Sequence, residues 1–483
     1  MDNQFLPRFF KGIVSTGMGS LCTLVFGFVT ITLAVRIVSK EQFGTFLLLQ
    51  VIVYSLVMIS DLGINLAVTR AIASAAEGEQ GRIISASVTL KLLTIALATT
   101  LIMGCGGYLF AVARIGTMEK LMVPLNLLFV LESLFAFDCA VLQGLQRYRV
   151  LALSQVILSV LNLLLTALLL MQFREGLFAL IYARQLSLAL AVFYQLKAMP
   201  DGIRLFLNRK TVQDVLTFGL PLGLNNIMTF IFMRIDTLII GSLLNPVGVA
   251  YYGTAGKIPD AGRQMFESFR SVYFPHVVEL FARKRQDVAV QVLETTLRSV
   301  TFVAACCLII VSLFNEEIVT LLFTKNYLAC APIMELLMVA MTLSLIGYTL
   351  GTSLVAAGYS KLPMLINTVD TAVALVANII MIPRYGITGA ACAAILARAV
   401  SVPVNLFFLR KYGIRVRSAP FIKPLVIAGC CYGASLILPV TLAVNLFLLA
   451  VFILMSLGFS VITRGDLSLF VKGLKMQPVP SAR

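Results

Sequence analysis

VLALSQVILSVLNLLLTALLLMQFREGLFALIYARQLSLALAVFYQLK, residues 150–197, holds two apolar runs that meet at a six-residue link. A helix needs about 20 apolar residues to span a hydrocarbon core roughly 30 Å thick. Both runs, 150–172 and 176–198, meet that length. The link, Met171-Gln172-Phe173-Arg174-Glu175-Gly176, is too short to hold a folded domain. Gln155, Ser159, Asn162 and Thr166 share one face of the first run, which suits hydrogen bonding between packed helices. The stretch therefore predicts a pair of antiparallel membrane spans.

The same pattern extends in both directions, from Phe10 to Thr463. The spacing predicts helices near 11–37, 43–68, 83–110, 119–143, 150–172, 176–198, 214–243, 247–282, 288–314, 328–356, 363–383, 387–409, 420–440 and 442–463. The composition agrees: 59% hydrophobic and 12% charged over 483 residues, with a mean hydropathy of +0.97. A soluble chain this apolar would expose too much apolar surface to stay dispersed. The expected class is an all-α polytopic membrane protein of about 14 transmembrane helices. It has no sizeable soluble domain, so any site must be built from the helices.

The net charge of +16 does not point to nucleic acid, because the basic residues flank the spans. Alternate connections carry roughly 23 Lys and Arg against roughly 7, the positive-inside pattern. Both termini are then cytoplasmic, which needs an even number of spans. The first apolar run continues past Gly27 without a small-residue cleavage site, so it reads as an uncleaved helix. Nine cysteines lie in or beside apolar spans without metal-ligand spacing and read as small hydrophobes. His276 is the only histidine, which rules out a histidine cluster within one chain. The outer connections are short, as at Asn245-Pro246-Val247 and Leu438-Pro439-Val440. An enzyme acting on an extracytoplasmic glycan usually needs a folded loop there.

Two halves echo each other at an offset near 210 residues. Met171-Gln172-Phe173-Arg174-Glu175-Gly176 corresponds to Met381-Ile382-Pro383-Arg384-Tyr385-Gly386, and both read Met-x-x-Arg-x-Gly. Each leads into a helix with an intramembrane arginine, Arg184 and Arg398. The expected organisation is an N-lobe over 1–200, a C-lobe over 201–412, and two further helices with a cytoplasmic tail over 413–483. Parallel six-helix repeats of this kind rock about a site near the midplane, which is alternating access.

With Asp61-Leu62-Gly63-Ile64 ending the second helix and Arg234-Ile235-Asp236-Thr237-Leu238-Ile239-Ile240-Gly241 in the seventh, the chain resembles a known superfamily. Tyr251-Tyr252 and Gly386-Ile387-Thr388-Gly389-Ala390-Ala391 fit the same pattern. The superfamily is that of the multidrug/oligosaccharidyl-lipid/polysaccharide exporters, and the chain is most similar to its Wzx-type flippases. The resemblance implies two pseudo-symmetric six-helix lobes around a central cavity, plus two C-terminal helices. It also implies movement of a polyprenyl-diphosphate-linked sugar to the outer leaflet.

A charge at membrane depth is costly and should face a cavity or a partner. On the eighth helix Asp260, Arg263, Gln264, Glu267, Arg270 and Ser271 recur at three- and four-residue spacing, with Lys257 one turn before them. One reading is a water-filled wall that meets diphosphate or acidic sugar. The other is a self-neutralising ladder. Gln50, Tyr54, Asp61 and Asn65 share a face of the second helix, and Asn225, Thr229 and Asp236 a face of the seventh. Arg234 projects nearly opposite Asp236, and Gln50, Tyr54, Asn65, Asn225 and Arg234 are further candidates for lining the cavity. Asp61 and Asp236 are candidates for ion coupling or for pairing with a nearby arginine. Lys91, Arg184, Arg298 and Arg398 are further cations, and Glu132, Asp138 and Asp370 their expected structural partners.

The expected function is a flippase of a bacterial inner membrane, a transporter and not an enzyme, serving O-antigen, capsule or exopolysaccharide synthesis. Its substrate partner is the lipid-linked oligosaccharide. A polysaccharide polymerase and a chain-length regulator are candidate protein partners, and no nucleic acid is expected. No cofactor or metal is expected beyond a coupling proton or sodium ion. The alternatives are a cation-coupled multidrug exporter of the same superfamily, or a membrane polysaccharide polymerase or ligase.

Overall fold

The computed structural model describes residues 5–75, 79–112, 118–173, 175–200, 204–205, 209–359, 361–417, 419–435, 437–438 and 441–458. The expected end of the last span and the tail lie outside them. Among the described residues every regular element is helical. They are α1 (Phe5–Ile37), α2 (Lys40–Asp61), α3 (Ile64–Ser74), α4 (Gln80–Val112), α5 (Met118–Gly144) and α6 (Tyr148–Gln172). Next come α7 (Gly176–Lys197), α8 (Arg209–Leu243), α9 (Pro246–Ala255), α10 (Lys257–Ala282) and α11 (Gln286–Leu313). The chain continues with α12 (Asn315–Leu322), a 3-10 turn (Lys325–Cys330), α13 (Ala331–Ala356), α14 (Lys361–Lys411), α15 (Ala419–Ser435) and α16 (Leu442–Gly458).

Helices are the natural outcome for such a sequence, because lipid offers no partner to an open backbone N–H or C=O. Eight stretches are long and apolar enough to cross a membrane as they stand, and three shorter apolar helices add to them. The protein is thus a multi-pass membrane protein. α14 bends at Gly386 (φ 60°, ψ −141°) and is two rods. Taking α2–α3 and α9–α10 as bent rods and α12 as a connector, the described residues form fourteen rods, close to the expected positions.

The second rod departs from the expected continuous helix over 43–68. Leu62 (φ 49°) and Gly63 (φ 77°) both adopt the left-handed conformation and divide α2 from α3. Asn65 therefore does not continue the face of Gln50, Tyr54 and Asp61. The physical reason is a backbone crossing with α8. A Cβ on Gly63 would fall 1.9 Å from the carbonyl oxygen of Gly219, and one on Gly223 would fall 2.5 Å from the carbonyl carbon of Leu62. Only glycine accepts both the positive φ and the approach. At its other end α2 touches α9 as closely, with a Cβ on Gly44 landing 1.7 Å from the Pro246 oxygen.

The chain forms two compact units. The first comprises 1–257, 322–327 and 371–393; α8 packs there against α2 and α3. Its core includes Ile64, Val68 and Ile72 of α3, Ile84 and Leu90 of α4, and Phe137 and Val141 of α5. The second comprises 258–321, 328–370 and 394–483. There α11 is central: Leu293 and Leu297 pack with Ile346 and Leu350 of α13, and Ala305 and Ile309 with Ile427 of α15 and Phe452 of α16. Asn445 of α16 donates to the Leu313 carbonyl at the end of α11, at 2.6 Å. The last two helices are fastened to α11 by these contacts.

Candidate functional site

In the first unit, α2, α5 and α7 bring three polar side chains together. The Arg184 guanidinium donates to Glu132 through Nε at 2.8 Å and lies 2.7 Å from the same oxygen through a second nitrogen. It also donates to the Tyr54 hydroxyl at 3.2 Å. Arg184 is 16% exposed and Glu132 9%, so the pair sits where water screens it little. Arg234 of α8 acts electrostatically on both Tyr54 and Asp236. Tyr54 was an expected site residue. Arg184 and Glu132 were expected only as cation and structural partner, and they now share its cluster.

Asp61 and Asp236 are both engaged. Lys91 of α4 reaches across to Asp61 at 2.7 Å, with side chains 1% and 8% exposed. The Tyr252 hydroxyl donates to Asp236 at 2.5 Å, and the Thr237 backbone N–H donates to the same carboxylate at 2.6 Å. Tyr251, the other half of the Tyr-Tyr pair, accepts from Lys40 at 2.7 Å, and that ammonium lies over the rings of Tyr251 and Tyr327. Asn65 keeps a buried Oδ1 without a hydrogen-bond partner among the described residues. Gln50 is half-buried. Lys257 is half-buried at the first turn of α10. The side chains of Asn225, Thr229 and Ser271 lie outside the described residues.

In the second unit α10 carries its charges as pairs one turn apart. Arg263 meets Asp260 at 3.0 Å, and Arg270 meets Glu267 at 2.6 Å. All four side chains are between 26% and 44% exposed, and Gln264 beside them is exposed. The pairing neutralises much of the stripe. Arg263 also interacts with Tyr348 of α13, and the Arg398 guanidinium lies 6.0 Å from that tyrosine's ring centroid. Arg398 in turn acts on Asp370, which accepts from Ser401. Tyr348 is a site residue that sequence reasoning missed; its only signal is a lone aromatic hydroxyl at mid-span.

The two units thus carry related sets. In each, the arginine of the sixth helix of its repeat, Arg184 or Arg398, contacts a tyrosine, with residues of the repeat's second and fourth helices joining in.

Residues 9–281 match the family described as polysaccharide biosynthesis protein. The chain belongs to that family. Among relatives, it is 22% identical over 433 residues to the probable low-salt glycan biosynthesis flippase Agl15 of Haloferax volcanii, covering 87% of this chain and 89% of that one. Among solved structures, it is similar to the lipid II flippase MurJ in an inward closed conformation. The TM-score is 0.74 at 15% identity, over 96% of this chain and all of that one. An inward-facing multidrug resistance MATE transporter of the MOP superfamily gives 0.68 at 14% identity, over 81% and 94%. The polysaccharide biosynthesis family member described here therefore shares the MurJ/MATE fold, and these similar proteins are flippases and transporters, not enzymes.

Proposed function

We propose that the protein is a flippase that carries a polyprenyl-diphosphate-linked oligosaccharide repeat unit from the cytoplasmic to the outer leaflet of a bacterial inner membrane. The observation that carries the reading is α10. A helix in the eighth expected span with half-exposed Arg263 and Arg270 and exposed Gln264 suits a wetted path for a charged head. The apolar tail stays in lipid, so the protein needs only to lower the cost of moving polar groups through hydrocarbon. In the first unit, Lys257, Arg234 and the Tyr54–Arg184 cluster are a second set of candidate residues for the charged head. The Lys/Arg asymmetry supports cytoplasmic termini, and family membership supports a role beside a polymerase and a chain-length regulator. Coupling to a proton or sodium ion at Asp61 or Asp236 would have to displace Lys91 or Tyr252.

Single cysteines in a background lacking the native nine test the path and the orientation. Gln264→Cys should react with an impermeant thiol reagent, and Leu97→Cys, on an exposed apolar face of α4, should not. In intact cells Asn245→Cys should react and Arg285→Cys should not. If Gln264→Cys is as inert as Leu97→Cys, the stripe faces lipid and the wetted path is wrong.

Deleting the gene tests the activity. Lipid-linked repeat units should still be made but stay hidden from an impermeant lectin in intact spheroplasts, becoming accessible after lysis. A polymerase defect would leave single units on the outer face. Loss of a drug exporter would alter dye retention and leave glycan display unchanged. Display at the normal rate without this protein or a paralogue overturns the assignment.

A further inference from the structure

At one end of the first unit, α3, α4 and α8 enclose a cleft of about 610 Å³. Its polar lining is Arg70, Ser74, Glu79, Arg82 and Asp214, and its aromatic wall is Phe218. None of these residues belongs to the membrane-depth sets above. The Arg70 guanidinium carbon lies over the Phe218 ring, 4.0 Å from its centroid. A cation–π contact of this kind holds the guanidinium in place without consuming its N–H donors. Among the described residues, the side chains of Arg70, Arg82, Glu79 and Asp214 form no ion pair with one another. That contrasts with α10, where each arginine takes the carboxylate one turn away.

Two guanidinium groups suit a diphosphate, which accepts paired charge-assisted bonds. Two carboxylates beside them repel a bare phosphate but accept from sugar hydroxyls. One ligand meets both requirements: a phosphate with a sugar attached. The volume is in the range of about 300–1,000 Å³ usual for small-ligand sites. Basic pockets between helices at the cytoplasmic surface are also where lipid phosphates bind.

We propose that this cleft is a docking site for the sugar-diphosphate head of a lipid, occupied on the cytoplasmic side before the head moves to membrane depth. It rests on the flippase reading and its orientation.

The chain has no tryptophan, so Phe218→Trp provides a single reporter against which Arg70 can still stack. The purified full-length variant is titrated in detergent with farnesyl-diphosphate-N-acetylglucosamine, with farnesyl diphosphate, and with phosphatidylglycerol. The expected result is a saturable emission change with the sugar-bearing probe. Its affinity falls about tenfold or more in Arg82→Gln, the loss expected for a charge-assisted bond. Asp214→Asn should weaken the sugar-bearing probe and not farnesyl diphosphate, while the melting temperature stays unchanged. No emission change, or an equal change with phosphatidylglycerol, overturns the proposal; the latter marks an ordinary lipid headgroup site. Leaflet display in cells separates the two readings. Normal flipping by an Arg70→Gln, Arg82→Gln double variant overturns the cleft alone, whereas absence of flipping by the native protein overturns the function itself.

Discussion

Replacing Asp61 with alanine is expected to destabilise the protein by about 3–5 kcal/mol, the usual result of removing one partner from a buried ion pair. Lys91 is only 1% exposed and Asp61 8%, at 2.7 Å. Alanine would leave an ammonium in a medium that cannot solvate it. The loss is read as a lower melting temperature and lower abundance in the membrane. Removing both charges, as Asp61→Leu with Lys91→Met, should recover most of it, because an apolar pair of similar volume has no desolvation penalty. The double-mutant cycle then gives a coupling energy of the same sign as the pair. Normal stability in Asp61→Ala, with transport lost, would instead make Asp61 a working carboxylate whose pairing is incidental.

Gly63→Ala should be comparably damaging for a different reason. The residue sits at φ 77°, where a side chain costs about 1–2 kcal/mol. The added Cβ would also fall 1.9 Å from the Gly219 oxygen, a distance no backbone tolerates without moving. Either α3 or α8 has to shift, which disturbs the core formed by Ile64, Val68 and Val215. The expected total is about 3 kcal/mol or more, with transport lost. Gly429→Ala is the control. Nothing lies within 4 Å of its Cβ position in α15, so alanine should be neutral or stabilising by up to about 1 kcal/mol. Equal behaviour of the two variants would refute the close crossing.

Hydropathy alone located the rods. The expected 150–172 and 176–198 became Tyr148–Gln172 and Gly176–Lys197, because a span must satisfy its backbone locally and its length is set by the bilayer. The break at Leu62–Gly63 was not legible that way. Apolar composition is blind to φ, and the clue was the glycine itself. Exact pairings were legible only within one helix; between helices the sequence named Arg184 and Lys91 as cations and Glu132 as a partner without matching them. Asp260–Arg263 and Glu267–Arg270 follow from three-residue spacing, whereas Asp61–Lys91 and Glu132–Arg184 depend on which helices become neighbours. The echo between halves carries no information on that point. It sets α8 in the second repeat, yet α8 packs against α2 and α3 of the first.

The Asp61–Lys91 pair also bears on how the chain is made. Synthesis runs from the N-terminus, so α2 leaves the ribosome before α4. A lysine at the centre of a helix entering the bilayer alone costs about 2.5–3.5 kcal/mol on insertion scales. Here α2 enters first, and its carboxylate bears a cost of similar size until α4 brings the ammonium. The linear order of the two residues is thus part of their chemistry: in a circular permutant with α4 ahead of α2, the bare cation would have to enter the bilayer first.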